Sequence, residues 1–306
     1  MKYKIAWDNK SYSWKKIKQF RKQNRLLLLP IFLNPKFVIG GNFKKIKEEK
    51  MNGVIGYDSA GPLHIGSLVP LLILLETLKH YKINNLIITI NDIEAMASRK
   101  VGLRKSKHNI RNMETVFRNV VKKYNKTLGT RIKIQFYVRS DTKLLWCWFS
   151  KILLISNIEQ IVKKYYGKIP LNHLLSVLIM TSEFSRLSEK NSLLTCYSYE
   201  ELLHLKFIEK IFDIINRKLY YVVCLPIRSI TDKDKKMSKS DISSGLFLIP
   251  NNKLYFNKLK NRLKSLPLES KEGINQFLCV WSNIFKENIS KNTDEEILKI
   301  IKDLIR

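Results

Sequence analysis

The sequence predicts an α/β fold organised around a parallel β-sheet, and three observations support that prediction. A short apolar run at residues 53–56 is followed by a Gly- and Pro-containing turn and then by an apolar stretch at 68–78, which is the order of a strand, a turn and a helix. A β-branched run at 85–91 indicates a buried parallel strand. Residues 202–215 indicate a helix and 219–224 the next strand, so strands and helices alternate along the chain.

The composition describes a globular but strongly basic protein. The 306 residues, 45% of them apolar, suit one large domain or two smaller ones and exclude global disorder. The 56 Lys and Arg residues exceed the 26 Asp and Glu residues, for a formal net charge of +30. Such a surplus favours polyanionic partners, nucleic acid first and an anionic membrane surface second. Compositional drift towards Lys, Ile and Asn is the alternative, because the lysines are spread along the whole chain.

The cysteines and the hydropathy pattern indicate a cytoplasmic protein. The four cysteines lie far apart, form no CxxC pair and are typical of reduced thiols, so we expect neither a disulfide framework nor a metal site. The apolar run at 26–33 is short and contains Pro30, and no stretch is long enough to span a membrane. We therefore expect no membrane segment.

The middle of the chain indicates further helices and one more strand. Residues 104–124 place apolar side chains at three- and four-residue steps, as in an amphipathic helix with a basic outer face, and 131–138 alternate like a half-exposed strand. Residues 141–167 are helical and rich in aromatic side chains, and 171–184 form another apolar helix, which contains Glu183. A carboxylate on a largely apolar helix needs a partner, either a ligand or, more commonly, one of the many lysines in a salt bridge.

Two segments carry residues suited to phosphate chemistry. The turn at 56–67 holds His64 and three glycines and leads into a helix, whose N-terminal N–H groups can face a phosphate. The loop at 232–241 alternates lysines with hydroxyl side chains, and lysines on a mobile loop can fold over a triphosphate and neutralise charge that develops during transfer. Taken alone, the turn at 56–67 is equally well explained as an ordinary strand-to-helix turn, and the loop at 232–241 as a solvated surface loop.

Taken together, the two segments resemble a known family. His64-Ile65-Gly66, followed far along the chain by Lys236-Met237-Ser238-Lys239-Ser240, is similar to the two signatures of class I aminoacyl-tRNA synthetases, in the order and spacing of the tyrosyl/tryptophanyl subgroup. Residues 63–72 look most like tyrosyl-tRNA synthetases, as do 56–58, 148–152 and 244–248. The chain is thus most similar to a shortened tyrosyl-tRNA synthetase.

The resemblance implies a doubly wound parallel sheet, the Rossmann-like core of class I synthetases, with a helical insertion and a short helical C-terminal tail. The catalytic domain would occupy residues 51–250, with the insertion at about 141–190. A basic N-terminal segment would precede it at 1–50, and a short basic tail at 251–306 would follow, with no full anticodon-binding domain evident. Apolar spacing in the tail indicates two helices, one containing Leu259, Leu263 and Leu266 and the other at 297–305.

The resemblance also implies a chemistry. An amino acid would be activated with ATP, accompanied by Mg²⁺, to the aminoacyl-adenylate and then transferred to the 3′ end of tRNA by an enzyme that acts as a homodimer. His64 would donate to the phosphates, and Lys236 and Lys239 would hold the departing pyrophosphate. The family's ATP-binding positions fall on Gly56, His64, Gly66, Ser67, Met237, Ser238 and Lys239, and its amino-acid-binding positions on Val54, Asp58, Ser176, Met180 and Glu183.

The pocket residues leave the amino acid open. Val54 stands where the tyrosyl enzymes carry a strand tyrosine, and Ser67 replaces the second histidine of the first signature. Ser176, Met180 and Glu183 depart from their Tyr-x-x-x-Gln-x-x-Asp helix, and a Met-x-x-acid pattern is closer to tryptophanyl enzymes. We favour a tyrosine–tRNA ligase. The alternatives are a tryptophan–tRNA ligase, a non-catalytic synthetase-derived tRNA-binding protein, and a general nucleic-acid-binding protein.

Overall fold

The computed structural model describes residues 38–42, 50–141, 144–168, 170–231, 236–238, 242–288 and 293–306. The segment predicted at 1–50 lies outside the described residues except for 38–42 and 50, and Lys239 and Ser240 of the lysine loop also lie outside them. Within the described ranges the chain forms eight β-strands and ten α-helices.

Six of the strands form one sheet: β1 (Val38–Gly41), β2 (Met51–Asp58), β4 (Asn85–Asn91), β5 (Lys133–Val138), β6 (Ser192–Ser198) and β7 (Leu219–Cys224). Their order is β1-β7-β6-β2-β4-β5, with β1 antiparallel to β7 and all other neighbours parallel. From the central β2 the chain adds β4 and β5 on one side and β6 and β7 on the other, which confirms the predicted doubly wound sheet. The direction of winding reverses between β2 and β6, and this is where ligands bind in such sheets, at the carboxyl ends of the strands.

The remaining two strands, β3 (Leu63–His64) and β8 (Phe247–Leu248), pair with each other in a short antiparallel ribbon. The helices are α1 (Ile65–His80), α2 (Asp92–Arg99), α3 (Leu103–Leu128), α4 (Leu144–Leu153), α5 (Ile158–Tyr166), α6 (Leu171–Leu187), α7 (Leu202–Ile214), α8 (Lys253–Ser265), α9 (Glu272–Phe285) and α10 (Thr293–Ile305). The predicted helices at 68–78, 104–124, 171–184 and 202–215 are confirmed as α1, α3, α6 and α7, and the two helices predicted in the tail are α8 and α10.

Helix α1 connects the fold to the site because it is apolar on nearly every side. It lies between the sheet and α9, and its leucines between Leu68 and Leu78 are fully buried in the main core. A helix without a polar face is stable only when neighbours cover it all round. Burial therefore fixes the first turn of α1 at the carboxyl edge of the sheet.

Strand β6 and helix α9 are absent from the sequence-based prediction. Strand β6 pairs with both β2 and β7 and forms the second half of the sheet. Helix α9 buries Ile274, Phe277 and Trp281 in the same core as α1, and Trp281 is 0% exposed. The C-terminal helices are consequently part of the main core and not a separate appendage.

The helices α4, α5 and α6 are inserted between β5 and β6 and have a core of their own. Ile152, Val162 and Val177 pack there against Phe207 of α7. Large apolar side chains of this insertion remain on its surface, including Trp146 at 51% exposure and Leu154 at 84%. Of the aromatic side chains in the insertion, Trp148 and Tyr166 are buried, whereas Trp146 is exposed.

Two simpler expectations can be compared with the structure. All four cysteines have free thiols, with Cys196 and Cys224 buried and Cys147 and Cys279 exposed. Among the described helices, none combines the length and the apolar character that crossing a bilayer requires.

Candidate active site

A cleft of about 240 Å³ opens at the carboxyl ends of β2, β6 and β7, next to the point where the winding of the sheet reverses. It brings together both segments singled out in the sequence. The predicted site residues that line it are Gly56, Asp58, His64, Gly66, Ser67, Lys236, Met237 and Ser238. Gly56 and Ser238, which are 182 positions apart in the chain, therefore line one cavity.

His64 caps the buried helix α1, and this fixes its imidazole ring. The backbone N–H of Ser67 donates to His64 Nδ1 at 3.1 Å, and the Ser67 hydroxyl accepts from the His64 N–H at 3.5 Å, a reciprocal capping box. Because Nδ1 accepts, a neutral His64 carries its proton on Nε2 and can donate from that atom. Ser67, which replaces a histidine of the family pattern, thus orients the remaining one.

The ribbon of β3 and β8 joins the two segments. His64 pairs with Phe247, and the N–H of Ile65 donates to the carbonyl of Leu246 at 3.0 Å. Gly245 lies between the segments: a Cβ there would be 3.4 Å from His64 Cβ and 3.7 Å from Met237 Sδ. Residues 245–247, which follow the lysine loop, therefore connect that loop directly to the segment around His64.

Gly66 allows a close approach inside the turn itself. A Cβ at this position would lie 3.1 Å from His64 Nδ1 and 3.3 Å from Ile227 Cβ. Both distances are tighter than ordinary van der Waals contact. A side chain at 66 would consequently crowd the imidazole ring that the helix cap orients.

The described part of the lysine loop is held from two sides. The N–H of Met237 donates to the carbonyl of Ile227 at 3.0 Å, and the N–H of Ser238 donates to Ser244 Oγ at 2.9 Å. The Ser244 hydroxyl donates back to the Ser238 carbonyl at 3.2 Å. Met237 is buried, at 3% exposure, so it anchors the segment in the core.

Lys236 forms an ion pair with Glu200, which follows β6 and also lines the cleft. Glu200 additionally accepts from the Ser198 hydroxyl at 2.8 Å. Burial raises the pKa of Glu200, but the charge and hydrogen bond of Lys236, helped by Ser198, outweigh it and hold the pKa below its usual value. Glu200 is a site residue that sequence analysis missed; an acidic pair directly after an apolar run was the available signal.

Tyr197 of β6 is the second site residue that sequence analysis missed. The N–H of Gly56 donates to Tyr197 Oη at 2.9 Å, and both residues line the cleft. A Cβ at Gly56 would lie 2.8 Å from this hydroxyl and 3.1 Å from Thr89 Oγ1. Position 56 therefore requires glycine because the phenol lies against the backbone.

Of the residues predicted to bind the amino acid, Asp58 alone is among those lining the cleft. Its Oδ1 accepts from the N–H of Ala60 at 2.7 Å, which orients the carboxylate. Val54 and Met180 contribute to an apolar cluster beneath the cleft, and Ser176 is half-buried on α6.

Glu183 has a different neighbourhood. Its Oε2 accepts from Arg139 Nε at 2.9 Å, and both side chains are at most 2% exposed. Glu183 therefore forms a salt bridge, as the sequence suggested, but its partner is an arginine just after β5 and not one of the lysines.

Comparisons with known proteins agree with this geometry. The sequence profile of the family described as tRNA synthetases class I (W and Y) matches residues 46–177, which contain the histidine segment. A search of curated proteins found no significant match.

Solved structures of synthetases share the fold. The tryptophanyl-tRNA synthetase of Aeropyrum pernix has a TM-score of 0.60 at 13% identity, over 83% of this chain and 77% of that one. The tyrosyl-tRNA synthetase of the same organism has a TM-score of 0.59 at 12% identity, over 83% and 84%. The tyrosyl-tRNA synthetase of Archaeoglobus fulgidus, solved with L-tyrosine, has 0.56 at 12%, over 84% and 82%.

Both kinds of enzyme thus match the fold equally well, and the profile covers both. Residues 46–177, 132 of the 306 in the chain, thus match the profile of class I tRNA synthetases for tryptophan and tyrosine, and the doubly wound sheet is the fold of both kinds of enzyme.

Proposed function

We propose that this protein is a cytoplasmic tyrosine–tRNA ligase, which activates tyrosine with ATP and transfers it to tRNA. The observation that carries the proposal is the meeting of His64 and Lys236 in one cleft at the switch point of the sheet. A site for adenylate formation needs donors on both sides of a triphosphate, and these two segments supply them.

In the first step an oxygen of the tyrosine carboxylate attacks the α-phosphorus of ATP. The bond from that phosphorus to the bridging oxygen breaks, and pyrophosphate leaves with the electron pair. His64 donates from Nε2 to the phosphates, while Lys236 and Lys239 neutralise the charge that grows on the leaving group. Loss of one such donor costs about 3 kcal/mol, or about a hundredfold in rate.

ATP is proposed to bind along Gly56, Gly66, Ser67, Met237 and Ser238. The described part of the chain contains no group of three or more His, Cys, Asp or Glu side chains that could hold a metal ion. Mg²⁺ is expected with the ATP phosphates, as their counter-ion, a role that it fills with few protein ligands.

The amino acid is proposed to bind beside the nucleotide. Asp58, held at the end of β2, is suited to the substrate ammonium group. Val54, Ser176, Met180 and Glu183 are the candidates for the side-chain pocket. Tyrosine is favoured over tryptophan because the sequence matches at 56–58, 63–72, 148–152 and 244–248 are with tyrosyl enzymes.

Binding of tRNA is supported by the basic surface. Helix α3 buries its apolar side chains and exposes basic ones along its outer face, among them Arg104, Lys107, Arg111, Arg118 and Lys122. Neutralising phosphates with such a face supplies sequence-independent affinity. A homodimer is supported by the exposed apolar side chains of the insertion, because large exposed patches mark interaction surfaces.

The test is amino-acid-dependent exchange between ATP and labelled pyrophosphate, across a panel of amino acids. Exchange with tyrosine is expected. Exchange with tryptophan alone would replace the proposed substrate, and no exchange, with tRNA still bound at physiological salt, would indicate a non-catalytic tRNA-binding protein.

Variants test the phosphate assignment in the same assay. Lys236→Ala should lower the exchange rate about a hundredfold. Lys302→Ala removes an exposed lysine of α10, outside the cleft, and should leave the rate unchanged. Equal rates for the two variants would contradict the role of Lys236.

A further inference from the structure

Tyr197 occupies a gap in the sheet beside the cleft. The pairing of β2 with β6 ends where Val54 lies opposite Thr195, whereas the pairing of β2 with β4 continues to Asp58. Tyr197 is two residues beyond that last pair, and its phenol bridges the opening by accepting from the N–H of Gly56 at 2.9 Å. The hydroxyl is thereby fixed at the wall of the cleft.

This hydroxyl still has a proton to donate. The bond from Gly56 uses one of its lone pairs, and no described residue accepts its O–H. Burial, the largest effect, raises the pKa of Tyr197, so the phenol keeps its proton at physiological pH. An oriented neutral donor at the wall of a polar cleft is suited to an anionic oxygen.

Other donors at this end of the cleft are already engaged within the chain. The N–H of Ser67 donates to His64, and the N–H of Gly56 donates to Tyr197 itself. Lys236 is paired with Glu200. Acceptors are plentiful by comparison, since Asp58, Glu200 and Glu201 all line the cleft and can receive a substrate ammonium group.

We propose that Tyr197 contacts the substrate. Its hydroxyl accepts from the Gly56 N–H and donates to an anionic oxygen of the aminoacyl-adenylate, and of the transition state that forms it, so the two hydrogen bonds form a relay from the backbone into the cleft. The inference rests on the proposed adenylate chemistry and adds a residue to it. In the chain N–H···O–H···O⁻ each bond polarises the next, and a hydrogen bond to a charged acceptor is stronger than one between neutral groups.

The glycine at 56 is part of the same arrangement. A methyl group there would come within 2.8 Å of Tyr197 Oη and would displace the phenol from the backbone. Gly56→Ala and Tyr197→Phe thus break one interaction from its two ends. Their effects should not add, because after either change the relay is already lost.

The experiment compares the intact protein with Tyr197→Phe and Tyr221→Phe. Tyr221 is the matched control: it is buried in the neighbouring strand β7, its hydroxyl donates to Glu209 at 3.1 Å, and it is outside the residues lining the cleft. We expect Tyr197→Phe to lower kcat/KM for pyrophosphate exchange on the order of 10- to 100-fold, and Tyr221→Phe to change it less than twofold.

Calorimetric titration with tyrosyl-sulfamoyl-adenosine, a stable mimic of the adenylate, gives a second readout. Tyr197→Phe should weaken its binding by a factor similar to the loss in kcat/KM, and a double variant with Gly56→Ala should lose no more than the worse single variant. If Tyr197→Phe keeps both kcat/KM for exchange and affinity for the mimic within twofold of the intact protein, the role of Tyr197 is refuted, while the proposed function still stands. An intact protein that neither exchanges nor binds the mimic would refute the proposed function, and this inference with it.

Discussion

The buried pair of Arg139 and Glu183 allows a quantitative test of what holds the insertion to the sheet. Arg139 is 1% exposed and lies just after β5, and Glu183 is on α6. Arg139 Nε donates to Glu183 at 2.9 Å, and its Nη1 approaches Glu94 Oε2 at 3.5 Å. Arg139→Met keeps much of the side-chain volume but leaves the Glu183 carboxylate buried without its countercharge.

Removing one partner of a buried ion pair typically costs about 3–5 kcal/mol. Domains are stable by only about 5–15 kcal/mol, so Arg139→Met should remove at least about a fifth of the free energy of unfolding. Urea unfolding followed by circular dichroism measures this loss as a lower midpoint at an unchanged m-value. The double variant Arg139→Met/Glu183→Leu removes both charges and should recover most of the loss, because replacing a whole pair by apolar groups is often neutral.

Two outcomes would refute this explanation. A loss below about 1 kcal/mol in Arg139→Met would mean that water already reaches the pair, as it reaches surface pairs. If Arg139→Met/Glu183→Leu is no more stable than Arg139→Met, the loss of stability comes from the packing of Arg139 and not from the unpaired carboxylate of Glu183. Glu183→Gln then separates structure from substrate binding: a raised KM for the amino acid, at an unchanged KM for ATP, is expected only if Glu183 contacts the substrate.

Two further predictions concern the lysine loop. Glu200→Gln removes the carboxylate paired with Lys236, so the KM for ATP should fall about fivefold, and a higher KM would mean that Glu200 itself serves the nucleotide. Because the pKa of Glu200 is lowered, its ion pair with Lys236 is intact above the ordinary carboxylate pKa and is lost as the pH falls through the pKa of Glu200 in the folded protein. The KM values for ATP of the intact protein and of Glu200→Gln should therefore become equal in acid. Gly273→Ala places a Cβ 2.1 Å from the carbonyl oxygen of Arg228, so it should cost about 1–3 kcal/mol in thermal unfolding and slow exchange. Gly102→Ala, with no atom within 4 Å of its Cβ, is the control, and an equal effect there would contradict the close-contact explanation.

The sequence predicted the first half of the sheet well because its local signals agree with its tertiary structure. The run before Asp58, the turn at His64 and the apolar helix α1 each have one dominant interpretation, and the structure buries them accordingly. Helix α9 could have been predicted in the same way. Its Ile274, Phe277, Leu278 and Trp281 recur at helical spacing, and all four are buried.

The missing part of the candidate site follows from one missing strand. Residues 193–197 form a short apolar run, which is ambiguous between a strand and a helix turn until its neighbours are known. Without β6 there was no reason to bring Tyr197 and Glu200 to the cleft. The partner of Glu183 was beyond local patterns altogether, since Arg139 is 44 residues away and meets it only through the packing of α6 on the sheet.

The C-terminal helices change how RNA binding must be tested. If residues 251–306 were only a basic tail, they could be removed without harm to the catalytic domain. In the structure, however, α9 packs on α1, and the side chain of Gln276 accepts from the N–H of Arg228, next to the lysine loop. Removing the tail would uncover the buried face of α1 and release that loop, so ATP-dependent steps would fail together with tRNA binding. Replacing exposed lysines one face at a time leaves this core intact. A variant that weakens tRNA binding while the KM for ATP stays constant is therefore the informative one.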